Sequence, residues 1–96
     1  MGIRRQGREC ALQMLFQWDL TRDSVEEISI NFWKIHEALP DIQEFANRLL
    51  ESTVGYVHEI DPVIERRAEN WRLDRMATVD RNILRLATQE MLYDDE

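Results

Sequence analysis

The side chains of this sequence that suit a soft metal are Cys10, His36 and His58, and they stand far apart along the chain. Zinc takes four ligands, usually supplied in close pairs, so this set predicts no metal centre, and Cys10 reads as a small core residue. No glycine-rich stretch cradles phosphate, and no serine or cysteine sits in a nucleophile context. The sequence therefore predicts no catalytic residue, no cofactor and no enzymatic activity. What remains is a cluster of charge. The opening stretch "MGIRRQGREC" holds Arg4, Arg5 and Arg8 with no carboxylate before Glu9, in a chain of net charge −7.

On a helix, Arg4 and Arg8 stand four residues apart and Arg5 and Arg8 three, so the three guanidiniums share one side. Cations at a helix N-terminus oppose the macrodipole, so helix stability does not explain them. Two explanations stand. The first eight residues are a frayed tail whose charges merely solubilise it, or they meet an anionic partner, for which nucleic-acid phosphate is the natural choice. Eleven of the twelve basic residues are arginine, with Lys34 the exception. The guanidinium fork suits phosphate and carboxylate, although a GC-rich genome produces the same bias. Asp80 is a second position of interest, and a carboxylate early in a helix also complements the dipole without any further role. Phe16, in turn, fits either a core or a contact surface.

The elements that must position these residues are helical. Ninety-six residues make one domain, here 1–96, and three glycines with two prolines leave little turn chemistry. Ala11, Leu12, Leu15, Phe16 and Leu20 recur at three- and four-residue spacing and predict a first amphipathic helix. Ser24 and Glu27 match a capping box for a second helix burying Val25, Ile28, Phe32 and Ile35. After Pro40, Asp41 and Glu44 repeat the cap spacing, and Ile42, Phe45, Leu49 and Tyr56 form the next stripe. "EIDPVIERRAENW" places Asp61 as a cap with Pro62 at the first helical position. A turn from Trp71 to Ala77 leads into a last helix with Val79, Ile83, Leu86, Ala87 and Met91 on its buried face. No stretch alternates with period two, so the fold class is all-α, a helical bundle of about five helices. The last helix stays apolar through Met91, Leu92 and Tyr93 and runs into "DDE" with no glycine cap, which predicts a bundle stopped short of its full length. One cysteine permits no internal disulfide, and no stretch has the length of a membrane span. A soluble, cytoplasmic protein without a membrane partner is the expectation.

On these residues the chain resembles the NusB family of bacterial transcription antitermination factors. "RRQGRECALQMLFQWDL" is similar to that family's arginine-rich opening helix, and "WRLDRMATVDRNILRLATQEMLY" to its second signature. The resemblance implies two abutting helical subdomains, the second incomplete here. It also implies binding of boxA-type RNA from ribosomal RNA transcripts, with the ribosomal small-subunit protein NusE as partner and an RNA polymerase elongation complex as destination. RNA contact falls on Arg4, Arg5 and Arg8, with Gln6 in place of a residue that is often basic. NusE contact falls on Phe16, Asp74 and Asp80, and Phe16 lacks the hydroxyl of the tyrosine often found there. Apolar surface left by missing helices makes a homodimer possible. The competing expectation is the NusB-like RNA-binding N-terminal domain of a ribosomal RNA cytosine methyltransferase.

Overall fold

In the computed structural model, which describes residues 2–68 and 72–93, five α-helices and one 3-10 turn follow one another. They are α1 (Ile3–Thr21), α2 (Val25–Ile35), α3 (Pro40–Gly55), α4 (Val57–Arg67), the 3-10 turn Leu73–Arg75, and α5 (Thr78–Tyr93). The arginine-bearing segment is therefore part of α1 and no frayed tail. No strand occurs among the described residues, and the all-α expectation holds. Trp71, placed in the turn by the sequence pattern, lies outside the described residues.

Two clusters of buried side chains hold the helices together. The larger joins Ala11, Met14, Leu15 and Trp18 of α1 to Ile28 of α2, Phe45, Ala46, Leu49 and Leu50 of α3, and Leu86 of α5. The smaller packs Ile60 and Ile64 of α4 on Leu73, with Met76 at its edge. α1 and α3 approach so closely at Gly7 that a Cβ there would stand 2.3 Å from Cδ2 of Phe45. Glycine weakens a helix interior, and this contact is the reason for one here.

Local signals account for the helix ends in part. The Ser24 hydroxyl accepts the Glu27 amide at 3.1 Å, as the capping spacing predicts. α1 stops at Arg22, whose left-handed backbone (φ 59°) lets its amide reach the Trp18 carbonyl. Its guanidinium lies 4.2 Å from the Trp18 ring centre and pairs with Asp19, which holds the unusual conformation in place. At α3 the cap expectation fails. Leu39 takes the cap position, Pro40 opens the helix, and Asp41 sits in the first turn as a dipole partner. At α4 it fails more fully. Tyr56 alone separates α3 from α4, so Pro62 falls inside the helix, and Asp61 is not a cap but an ion-pair partner of Arg85.

The apolar stripes need correction as well. On α1 the buried face is Gly7, Ala11, Met14, Leu15 and Trp18, rotated from the stripe expected, so Phe16 and Leu12 are half-buried and Leu20 is exposed. Ile35, expected in the core, is 79 % exposed, and Tyr56 is exposed too. α5 departs furthest. Its inward residues are Asn82, Arg85, Leu86 and Gln89, while Val79, Ile83, Ala87 and Met91 face outward. There the polar side of α5 meets a buried carboxylate on α1.

Candidate RNA and partner interface

That carboxylate is Asp19, whose side chain is only 1 % exposed. Its Oδ2 accepts from Arg81 Nε at 2.5 Å and from Asn82 Nδ2 at 3.0 Å, and lies 3.1 Å from Arg85 Nη1. Its Oδ1 accepts from Arg22 Nη2 at 3.2 Å. Arg85 in turn grips Asp61 of α4 with two bonds of 2.9 Å, and Gln89 donates to Ser52 of α3 at 2.7 Å. Burial pushes the Asp19 carboxyl upward, but the Arg81 hydrogen bond, the Arg85 charge and the Asn82 amide outweigh it and hold it below the usual carboxylate range. For Arg85 burial acts downward, and Asp61 and then Asp19 raise it on balance. The network ties α1, α4 and α5 together and sets how far α5 turns.

With α5 so placed, α1 and α5 run antiparallel. Arg8 meets Glu90 at one end, with Arg8 Nε and Nη2 donating over 2.8–3.0 Å. Leu12 shares an apolar recess with Ile83, Leu86 and Ala87, and Asp19 meets Arg81 at the other end. Phe16, half-buried, falls on α1 between those last two levels, next to the start of α5. Asp80 is exposed in the first turn of α5. Asp74 is exposed on the 3-10 turn, 3.5 Å from Arg72, and lines a cleft of about 320 Å³ with Asp19, Arg22 and Arg81. Asp74 thus lies beside the C-terminal end of α1, with Phe16 on α1 and Asp80 in the first turn of α5.

Arg4, Arg5 and Arg8 occupy the other end of α1, roughly 12–18 Å along the axis from Phe16 at 1.5 Å per residue. Arg4 and Arg5 are exposed and Arg8 is half-buried. The Arg4 and Arg8 guanidinium carbons lie 5.5 and 5.9 Å from the centre of the Phe45 ring. Arg48 of α3 reaches the same ring at 5.5 Å. Sequence reasoning passed over Arg48, because its link to the N-terminus exists only once α3 packs on α1. It also missed Asp19, though a signal was there: Asp19 continues the Ala11–Leu15 spacing, so a charge sits where the core should be.

Burial, then Glu9, raises the Cys10 thiol above its usual range, which favours the protonated form. Among the described residues, no group of three or more histidine, cysteine or acidic side chains is placed to hold a metal ion. None of the helices described is long and apolar enough to cross a membrane.

A sequence model of the NusB family matches residues 5–96. The chain belongs to the NusB family. Relatives agree with that membership along nearly the whole chain. The transcription antitermination protein NusB of Myxococcus xanthus is 43 % identical over 97 residues, covering 97 % of this chain and 69 % of its own length. The NusB of Koribacter versatilis is 45 % identical over 92 residues, covering 95 % and 63 %. The chain therefore spans about two thirds of the length of these curated NusB proteins. Among solved structures, the solution structure of Aquifex aeolicus NusB superposes with a TM-score of 0.83 at 31 % identity, covering 96 % of this chain and 63 % of that one. A chain in the crystal structure of a plectonemic RNA supercoil superposes with a TM-score of 0.90 at 30 % identity, covering 100 % and 70 %.

Proposed function

We propose that this NusB-family chain acts in transcription antitermination by binding boxA-type RNA of ribosomal RNA transcripts together with NusE, within an RNA polymerase elongation complex. The observation that carries this reading is the gathering of Arg4, Arg5 and Arg8 at one end of α1 on a body of net charge −7. Three arginines are brought together there against the helix dipole; Arg8 is paired with Glu90, and a local concentration of guanidiniums on an acidic body suits a polyanion. The relatives' name as antitermination proteins supports the same reading, as does a structural relative from an RNA crystal.

The two ends of α1 divide the work. At the N-terminal end the guanidiniums bind backbone phosphate, which holds the RNA without reading its sequence. Glu90 keeps the Arg8 guanidinium in a set orientation by its paired hydrogen bonds. Toward the C-terminal end, Phe16 supplies an apolar side chain and Asp80 and Asp74 exposed carboxylates, a set suited to a basic ribosomal protein such as NusE. The methyltransferase-domain alternative is not favoured, because the relatives that match carry the antitermination name.

The test is a titration of labelled boxA-type RNA against the chain at two salt concentrations, with and without NusE. Binding that weakens with salt and strengthens with NusE is expected. On single strands the logarithmic salt slope is about 0.7 per phosphate contacted, so replacing Arg4, Arg5 and Arg8 by alanine lowers it by about 2. RNA binding that is absent, or indifferent to these three replacements, overturns the proposal.

A further inference from the structure

We propose that Arg48 of α3 is a further phosphate-binding residue of the RNA surface, joined to Arg4 and Arg8 through the buried ring of Phe45. The proposal rests on the RNA-binding reading above and adds to it a residue on a second helix. Phe45 is only 6 % exposed, yet three guanidinium carbons, those of Arg4, Arg8 and Arg48, lie within 5.5–5.9 Å of its centre. The ring reaches this position because Gly7 has no Cβ to exclude it. Groups that close to one point are separated by distances on the order of the Debye length, about 8 Å at physiological salt, and act as a single patch.

Two features set this patch apart from an ordinary solvated surface. The chain has nineteen carboxylates to twelve basic residues, so a surface arginine has many acids to pair with. Arg48 nevertheless forms no ion pair with a carboxylate among the described residues, and its guanidinium lies over the ring. A cation held over an aromatic face is positioned without spending its N–H donors, which remain suited to phosphate oxygens. The ring thus carries the positive surface from α1 onto α3, where a strand of RNA lying across the end of the two helices meets both.

The test uses the full chain and labelled boxA-type RNA, titrated across a salt series, with the helical circular dichroism of each variant checked first. Arg48→Ala is compared with Arg48→Lys and with Arg66→Ala, which removes the same charge from α4, away from Phe45. Arg48 is exposed on a helix, so alanine leaves the fold in place. Arg48→Ala is expected to weaken binding about tenfold near physiological salt and to lower the salt slope by about 0.7. Arg48→Lys restores most of the slope, and Arg66→Ala matches the parent. If Arg48→Ala binds like the parent while Arg4→Ala and Arg8→Ala weaken binding, this proposal fails and the RNA-binding reading stands. A weaker Arg48→Ala with an unchanged slope also overturns it, because the loss is then not a phosphate contact. If the parent chain shows no salt-dependent RNA binding, both fall.

Discussion

Replacing Asp19 by asparagine tests the electrostatic account of how α5 is oriented. The substitution keeps the shape of the side chain and removes one charge from a site that is 1 % exposed. Arg81 and Arg85, 18 % and 5 % exposed, then lose their shared carboxylate. Breaking a buried ion pair from one side costs about 3–5 kcal/mol, because the remaining charge is left without compensation. Arg85 keeps Asp61, and Arg81 keeps the carbonyls of Leu73 and Met76 at 3.3 and 3.2 Å. The loss therefore belongs at the low end, about 3 kcal/mol. Total stability for a small domain is about 5–15 kcal/mol, so this is a large fraction. At roughly 4–8 °C per kcal/mol for a domain of this size, the melting temperature falls by roughly 12–24 °C. Urea and thermal unfolding followed by circular dichroism measure both quantities. Asp61→Asn is the internal comparison, and a smaller loss is expected there because that side chain is 26 % exposed. A loss below about 1 kcal/mol for Asp19→Asn, or one no larger than that of Asp61→Asn, refutes the reasoning.

The same carboxylate makes a pH prediction. Its folded value lies below the unfolded one, so its contribution is fully present above the unfolded value near 4 and is lost as pH falls through the folded value. Urea midpoints measured from pH 6 downward drop below about pH 4 in the parent, and more shallowly in Asp19→Asn. Gly7→Ala gains about 1 kcal/mol in helix propensity but forces a Cβ to 2.3 Å from Phe45. Overpacking of about 1–3 kcal/mol makes the net effect destabilising, by about 1 kcal/mol in urea melts, whereas a stabilised variant contradicts the close approach. Asp80→Ala removes a first-turn carboxylate and costs about 0.5 kcal/mol of stability through the helix dipole. A loss of NusE affinity larger than that, measured by calorimetry, is expected from a partner contact and not from a dipole effect alone.

Periodicity and turn chemistry carry the local part of this fold. The capping pair Ser24–Glu27, the break at Pro40 and the spacing of Ile42, Phe45 and Leu49 were legible because each depends on residues within a turn or two of itself. The arginines of the first helix were legible for the same reason. Where a local rule met a tertiary demand, the tertiary demand prevailed. Pro62 matches a helix start by type, but Val57 and Ile60 before it and Ile64 after it are all buried and carry the helix through it. The apolar stripe of α5 is present in the sequence, and periodicity alone assigns it to the core.

The sequence by itself determined that the chain is helical, where most helices lie, and that positive charge gathers at its beginning, since all three follow from neighbours along the chain. Only the tertiary structure decided which side of α1 and of α5 faces inward and which distant residues share a site. Asp19 and Arg85 are distant in sequence, and it is their burial together that turns the polar side of α5 inward and Ile83 and Met91 to the surface. Arg48 likewise joins Arg4 and Arg8 only because Gly7 lets the Phe45 ring lie against α1. Amphipathic spacing shows that a helix has two sides, but the choice between them rests on charges and contacts that the fold brings together from far along the chain.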